Sequence, residues 1–107
     1  MVNDELYCRH IRDAISKIES YVQGMTFETF NKNFLVQDGT IREFEVIGEA
    51  AKHLSDAFKE RCKEIPWREV VDMRNKLVHE YFDVDTELVW GTIHNDLLLL
   101  KRAVSNS

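Results

Sequence analysis

The chain has 107 residues, enough for one domain with one modest hydrophobic core and too short for two. Hydrophobic residues make up 44% and charged residues 31%, as in a soluble globular protein rather than a disordered or membrane-spanning one. The formal net charge of −5 disfavours a general nucleic-acid coat protein, because non-specific binding needs a surplus of Lys and Arg to neutralise phosphates. It is still compatible with a small, local basic site.

The first part of the chain predicts two helices. Glycine occurs four times and proline once, which favours helices over a turn-rich β fold. A helix over residues 3–23, ended by Gly24, is predicted from apolar residues at near-helical spacing: Leu6, Ile11, Ile15, Ile18 and Val22. Thr26 is then predicted to cap a short helix that carries Phe27 and Phe30.

The middle of the chain predicts two longer helices. One follows from an apolar stripe: Ile41, Phe44, Ile47, Ala51, Leu54 and Phe58. Asp38-Gly39 before it is a turn signal, at which a long helix could also continue or kink. Pro66 suits the first position of the next helix, where its missing N–H costs nothing, and the apolar spacing continues to Val78.

A last helix is predicted after an interruption at residues 81–84, with Asp85 as its N-cap and Glu87 in its first turn. Its buried face would comprise Trp90, Ile93, Leu97, Leu100 and Val104. We therefore expect a single all-α domain over residues 1–107, an up-and-down bundle of four to five helices. The run Leu97–Leu100 is apolar around more than half the helix, which fits either a homodimer or partner interface or a wide core contact.

Location and metal content can also be anticipated. Residues 1–4 begin no basic segment followed by an apolar run, so no signal peptide is expected, and no apolar stretch reaches the roughly 20 residues of a bilayer span. These features predict a cytoplasmic protein, with no membrane association, in which Cys8 and Cys62 are free thiols. No C-x-x-C pair occurs and the four histidines are scattered, so no metal site or cofactor is expected.

Residues 74–81 read R-N-K-L-V-H-E-Y, near the end of a predicted helix. On an ideal helix Asn75 and His79 lie one turn apart on one face, whereas Arg74 and His79 diverge by about 140°. Arg74 and His79 could still reach one ligand if the helix ends near His79. The cluster is therefore predicted to border a groove.

The chemistry of these side chains matches that of metal-independent RNA cleavage. Arg74 offers a permanent cation with a donor fork suited to phosphate, and His79 can exchange a proton near neutral pH. In that reaction a base removes the 2′-hydroxyl proton and the oxygen attacks the adjacent phosphorus. A cation stabilises the charge that develops. The alternative is structural: the same side chains could cap carbonyls at a helix end, pair with Glu80 and cover the core.

The motif resembles the signature of HEPN-domain proteins, in which Arg is followed by a polar residue, usually Asn, and a few positions later by His. The further step to His-x-Tyr resembles the HepT subfamily, the toxin half of HepT/MntA toxin–antitoxin systems. Three segments agree in the family's order: F-E-V-I-G-E-A-A-K-H-L at 44–54, I-P-W-R-E-V-V-D-M-R-N-K-L-V-H-E-Y-F at 65–82 and V-D-T-E-L-V-W at 84–90. The resemblance covers nearly the whole chain.

This resemblance implies a helical bundle that forms a homodimer, with the Arg and His of both subunits lining a shared cleft. It implies a metal-independent endoribonuclease that is neutralised when an MntA-like nucleotidyltransferase antitoxin transfers AMP from ATP onto a tyrosine. By the same resemblance Arg74 stabilises phosphate, His79 transfers protons, Asn75 orients the site and Tyr81 receives AMP. The alternative function is a non-catalytic subunit that binds RNA or nucleotide for a nucleotidyltransferase complex.

Other polar and aromatic residues are given structural roles by the sequence. Trp67 and Trp90 lie on apolar stripes and are predicted to belong to the core, although both could stack bases. His53 lies off its stripe and is predicted to be a solvated surface residue, while His10 and His94 match no motif. Three carboxylates could pair with the motif arginine or border the cleft, and the sequence leaves the choice open: Glu45, Glu49 and Asp72.

Overall fold

A computed structural model describes residues 3–79 and 83–105, with the backbone alone for His79. Within these ranges the chain forms eight helices and one antiparallel pair of two-residue strands. In chain order they are α1 Asp4–Val22, α2 Phe27–Asn31, α3 Phe34–Lys52, α4 Asp56–Arg61, α5 Trp67–Val71, α6 Met73–Leu77, β1 Val78–His79, β2 Asp83–Val84, α7 Thr86–His94 and α8 Asp96–Ser105.

The first two helices follow the prediction closely. The Asn3 side chain caps α1 by accepting a hydrogen bond of 3.1 Å from the Leu6 N–H. Gly24, with a φ of +76°, lies just after the end of α1, in the left-handed region that glycine enters without steric cost. Thr26 accepts from the Thr29 N–H at 3.2 Å and so caps α2, as the sequence predicted.

Helices α1 and α3 pack along one another and form the centre of the bundle, with α8 against α1 and with α5 and α6 against α3. Their facing apolar residues are fully buried: Cys8, Ile11, Ile15, Ile18, Phe44 and Ile47. Helices α2 and α7 close one end of this core through Phe30, whose ring centroid lies 5.2 Å from that of Trp90. The fold is thus the predicted all-α bundle.

The sequence left the start of the middle helix open, and the predicted end was wrong. Helix α3 begins at Phe34 and continues through Asp38-Gly39, one of the outcomes that the turn signal allowed. The Tyr21 ring packs at Gly39, where a Cβ would lie 3.2 Å from it. The helix stops at Lys52 rather than continuing to Phe58.

The early stop of α3 is stabilised by a contact from far away in the sequence. Ser55 caps α4 by accepting from the Phe58 N–H at 3.1 Å. The Asp4 carboxylate, at the start of α1, accepts from the Ser55 N–H at 2.8 Å and from the Ser55 hydroxyl at 2.7 Å. Leu54 and Phe58 remain buried across the break, so the apolar stripe gave no sign of it.

The predicted helix from Pro66 to Val78 is also divided. Pro66 precedes the first helical residue instead of occupying it, and Asp72 separates α5 from α6. Helix α6 ends at Leu77, and Val78 begins β1. The last predicted helix breaks at Asn95, although Asp85 caps its first part as expected, accepting from the Leu88 N–H at 3.1 Å.

Gly48 on α3 sets how closely α5 can approach. A Cβ built on Gly48 would lie 2.8 Å from the Val71 carbonyl oxygen and 3.3 Å from that of Val70. Both atoms belong to the backbone, so neither can move aside as a flexible side chain would. The absence of a side chain at Gly48 therefore allows α5, and α6 after it, to pack directly on α3.

We expect Gly48→Ala to destabilise the protein relative to a matched glycine substitution. Alanine in a helix gains about 1 kcal/mol over glycine, but overpacking against fixed atoms costs roughly 1–3 kcal/mol. Gly91→Ala on α7 is the control, because among the described residues the nearest neighbour of its Cβ would be the Asn95 amide nitrogen at 4.0 Å. The free energy of unfolding measured in urea should be lower for Gly48→Ala than for Gly91→Ala. Equal stabilisation by both changes would contradict the close approach of α5 to α3 at Gly48.

Two further features bear on the predictions: the lengths of the apolar helices and the state of the two cysteines. No helix in the described ranges is both long enough and apolar enough to cross a membrane. Cys8 is buried and Cys62 half-buried, and both are free thiols as predicted.

The leucine run at 97–100 is half buried and half exposed. Leu97 and Leu100 are buried, while Leu98 and Leu99 are 49% and 47% exposed. Half of the run thus belongs to the core, and the homodimer remains a prediction.

Candidate functional site

Helix α6 carries Arg74 and presents it to α3. The Arg74 Nε lies 3.6 Å from Glu45 Oε1, with 34% of the arginine side chain and 43% of the glutamate side chain exposed. At this distance the two atoms form an ion pair rather than a direct hydrogen bond, and a partly exposed pair of this kind contributes only about 0–1 kcal/mol. Glu45 therefore orients the guanidinium electrostatically without fixing it rigidly.

The three carboxylates left open by the sequence have different partners. Glu45 is the one in salt-bridge contact with Arg74. Glu49 instead lies 3.4 Å from Lys52 Nζ and 3.5 Å from His53 Nε2. Asp72 accepts a hydrogen bond of 2.8 Å from Asn75 Nδ2.

Asn75 is exposed and holds the junction between α5 and α6. Besides its side-chain bond to Asp72, its backbone N–H donates to the Asp72 carbonyl at 3.1 Å. These two bonds start the short helix on which Arg74 lies. Asn75 thus has a clear local role next to Arg74, while its predicted role toward a ligand stays a prediction.

His79 lies beyond the end of α6, in the short strand β1. Its backbone pairs with Asp83 of β2, next to the Val78–Val84 pair, and the Asp85 N–H donates to the Leu77 carbonyl at 2.9 Å. The ideal-helix relation predicted between Asn75 and His79 was therefore wrong, because the helix ends two residues before the histidine. The structure describes no side-chain position for His79, and Tyr81 lies outside the described residues.

Two grooves meet at Arg74. One, of about 260 Å³, is bounded by α3, α6 and the strand pair, and it is lined by Asp38, Ile41, Arg42, Glu45, Arg74, Val78 and Val84. The other, of about 500 Å³, follows α3 toward the start of α1. Arg42, Glu45 and Arg74 line both, so a ligand held at Arg74 could extend into either groove.

The sequence did not identify the residues at the far end of the larger groove. Tyr7 and His53 stack there with ring centroids 5.1 Å apart and an interplanar angle of 21°, and His10 packs edge-on against Tyr7 at 6.0 Å. His53 is exposed, as predicted, but it belongs to an aromatic cluster rather than to isolated surface. The signal that could have found it is the family-like segment 44–54, which ends at this cluster.

The two tryptophans are core residues, as predicted. Both are half-buried and pack against the hydrophobic core. The Trp67 indole donates to the Cys62 carbonyl at 3.1 Å, and the ring of Trp90 lies 4.2 Å from that of His94. Neither tryptophan lines the grooves that meet at Arg74.

Two further observations concern thiol chemistry and metal binding in the part of the chain that the structure describes. Partial burial raises the pKa of the Cys62 thiol, so the sulfur is protonated at neutral pH and is no activated nucleophile. In residues 3–79 and 83–105 no three His, Cys, Asp or Glu side chains are grouped so as to hold a metal ion.

An all-α bundle that carries R-N-K-L-V-H across a helix end has the form of a HEPN-type ribonuclease domain. The chain belongs to the family described as Ribonuclease HepT-like, which matches residues 11–106. The resemblance seen in the motif is thereby confirmed over most of the sequence, from the first turns of α1 to the end of α8.

The names of individual relatives also refer to ribonucleases. The chain is 42% identical over 95 residues to a Thermococcus cleftensis protein named probable ribonuclease HepT, covering 89% of this chain and 86% of the relative. It is 37% identical over 98 residues to a candidate RNase of Caldanaerobacter subterraneus subsp. tengcongensis, covering 92% and 88%. A Methanocaldococcus jannaschii protein, named as a gamma-glutamylcyclotransferase and candidate RNase, is 38% identical over 100 residues. This chain spans 45% of the length of that last relative. No solved structure matches the chain significantly.

Proposed function

We propose that this protein is a metal-independent endoribonuclease, the toxin of a cytoplasmic toxin–antitoxin system. The observation that carries the proposal is that a member of the HepT-like ribonuclease family has Arg74 at the meeting point of two open grooves, five residues before His79. A cation placed in an open groove can hold a phosphate of a single strand without needing a positively charged protein surface overall. This accounts for RNA cleavage by a chain of net charge −5.

In the proposed reaction the 2′-oxygen of one nucleotide attacks its own 3′-phosphorus. His79 acts in proton transfer, taking the 2′-hydroxyl proton, while Arg74 stabilises the negative charge that builds on the non-bridging oxygens. The bond from phosphorus to the 5′-oxygen of the next nucleotide breaks, and that oxygen is protonated as it leaves. The products are a 2′,3′-cyclic phosphate and a 5′-hydroxyl, and the step needs no metal ion.

The test is incubation of the purified protein with RNA in EDTA, followed by identification of the new ends. Fragments ending in 2′,3′-cyclic phosphate support the nuclease, and the Arg74→Ala protein serves as the control for contaminating ribonuclease. RNA that stays intact at high protein concentration favours the alternative, a non-catalytic subunit that binds RNA or nucleotide for a nucleotidyltransferase.

We further propose that the active form is a homodimer in which both subunits contribute their Arg74–His79 regions to one cleft. Apolar side chains available for such an interface are exposed on α3, α7 and α8: Phe34, Leu35, Leu88, Leu98 and Leu99. Phe34 and Leu35, adjacent at the start of α3, are 74% and 83% exposed, and contact with a second copy would remove their apolar surface from water.

The expected result of light scattering at micromolar concentration is a mass twice that of one chain. Burial of apolar side chains from two copies supplies the driving force. A strict monomer that still cleaves RNA would overturn the shared cleft and leave the nuclease proposal in place.

Tyr81 is proposed as the site at which a partner MntA-like nucleotidyltransferase attaches AMP and inactivates the protein. In this transfer the tyrosine oxygen attacks the α-phosphorus of ATP, and pyrophosphate leaves. The attached group adds negative charge two residues after His79 and a bulky base. The phosphate would compete with RNA for Arg74, and the nucleotide would obstruct the groove. A small nucleotidyltransferase gene next to this one would support the pairing.

Tyr81→Phe is expected to keep much of the nuclease activity but to escape inactivation by the partner with ATP and magnesium, since it lacks the acceptor oxygen. Intact-mass spectrometry should show AMP added to the wild type and none to this variant. Tyr21→Phe is a matched control, because Tyr21 is 37% exposed and lies on another helix. AMP found on a residue other than Tyr81 would disprove the assignment of Tyr81 as the acceptor.

A further inference from the structure

The larger groove has an aromatic end that is built from two separate helices. Tyr7 belongs to α1, and His53 is the C-cap residue directly after α3. Their rings stack at 5.1 Å, which covers one face of the imidazole, yet 51% of the His53 side chain is exposed. The groove therefore presents a flat aromatic surface, to which a further ring can be added by stacking.

The rest of the groove is cationic in an acidic protein. Its charged lining consists of Arg42, Lys52 and Arg74 against Glu45 and Glu49, which leaves an excess of one positive charge when the histidines are not counted. The whole chain, by contrast, carries −5. Among the described residues Arg42 forms no salt bridge, whereas Lys52 and Arg74 each have a glutamate partner. Arg42 is thus the cation least neutralised by the protein itself.

These groups lie in line along one helix face. Arg42, Glu45 and Glu49 on α3 and His53 at its C-cap follow one another at spacings of three or four residues, which places them on the same side. Arg42 and His53 are eleven residues apart, or about 16 Å at 1.5 Å per residue. This distance exceeds what a single nucleotide occupies and suits a short stretch of single strand.

We infer that this groove is a binding subsite for the single-stranded RNA that flanks the cleaved bond. A base stacks on the Tyr7–His53 pair, and Arg42 contacts a phosphate on the other side of Arg74, because Arg74 pairs with Glu45, which lies between Arg42 and His53 along the helix. The inference rests on the proposed nuclease function, and it assigns residues outside the R-N-K-L-V-H-E-Y motif to substrate binding. Stacking on aromatic side chains is tolerant of base identity, so the subsite selects single-stranded RNA rather than a sequence.

The competing interpretation is that the Tyr7–His53 stack merely joins the start of α1 to the end of α3. The two are separated by a binding measurement that does not depend on cleavage. A fluorescent RNA of about 12 nucleotides, within the range bound by single-strand proteins, carries 2′-O-methyl groups throughout and so lacks the free 2′-hydroxyl that attacks phosphorus. Its affinity is measured by anisotropy at several salt concentrations in EDTA.

We expect His53→Ala to weaken binding by about five- to tenfold, the lower end of the range for loss of one stacked base, and His53→Phe to restore it. Arg42→Ala should reduce the slope of log affinity against log salt by about 0.7, the value for one lost contact to a single strand, while Arg42→Lys keeps the slope. Matched controls are His94→Ala, another exposed helix-end histidine packed on an aromatic ring, and Arg102→Ala on α8. Both should bind as the wild type does.

Cleavage of unmodified RNA, measured in parallel, keeps this inference distinct from the function on which it rests. Weaker binding by the His53 and Arg42 variants together with cleavage by the wild type supports the subsite. Cleavage by the wild type with unchanged binding by those variants overturns the subsite alone. Binding that the His53 and Arg42 substitutions weaken, without any cleavage by the wild type, overturns the nuclease proposal and leaves an RNA-binding groove. Absence of both binding and cleavage overturns both proposals.

Discussion

His79→Ala is expected to lower the rate of RNA cleavage by about two to four orders of magnitude, the usual effect of losing a general acid–base group. The loss should appear mainly in kcat, because the imidazole acts on a proton that moves during the reaction rather than on the bound substrate. Affinity for the 2′-O-methyl RNA should stay near that of the wild type. Single-turnover cleavage at saturating protein measures the chemical step directly.

The fold should survive this change, since the structural contribution of His79 that is described comes from its backbone pairing with Asp83, which alanine retains. A thermal melt and the dimer mass are the controls, with His94→Ala as the matched histidine substitution. If His79→Ala lost both its melting transition and its activity, that result would support the structural interpretation of the motif.

Arg74→Ala is expected to be comparably damaging, and in this case both binding and cleavage should fall. Arg74→Lys should recover activity only in part, because an ammonium does not reproduce the planar donor fork of a guanidinium. Removing the pair with Glu45 should change the free energy of unfolding by at most about 1 kcal/mol, since that pair is loose and partly exposed. Urea unfolding measured beside cleavage for each variant shows whether activity and stability separate.

Arg68→Ala on the neighbouring helix α5 is the matched control, because Arg68 is exposed and lines neither groove that meets at Arg74. Full activity in Arg74→Ala would disprove the phosphate role of this residue. Full rescue by lysine would instead show that a point charge is sufficient and would remove the argument for bidentate contact.

The sequence predicted the existence of each helical region because apolar spacing and caps are local signals. Thr26 and Asp85 cap helices as predicted, and the start predicted at residue 3 lies one residue before α1. The breaks at 53–55, Asp72 and Asn95 were not predictable in this way. Around Ser55 the apolar stripe continues through the break, and the carboxylate that stabilises it comes from Asp4, 51 residues earlier.

The sequence predicted the candidate site as a motif but did not predict the residues around it. Local sequence singled out Arg74, Asn75 and His79 as candidates, yet the pairing of Arg74 with Glu45 depends on how α6 packs on α3, for which no local pattern exists. The helix end at Leu77 was missed because Leu77 and Val78 are both buried, so apolar spacing continues past it. Tyr7 and His53 meet only through tertiary packing, and neither belongs to a motif of its own.

The shortness of α5 and α6 has a consequence for how the protein would lose activity. Five-residue helices are far below the length at which a helix is stable alone, so these two depend on packing against α3 near Gly48. We therefore expect the segment that bears Arg74 to be a separate cooperative unit that can detach while α1 and α3 stay folded. Native-state hydrogen exchange should reveal it as faster exchange of amides in 67–77 than in α1. A substitution that loosens this segment would silence the enzyme without unfolding it, and uniform exchange across both regions would show that the bundle opens only as a whole.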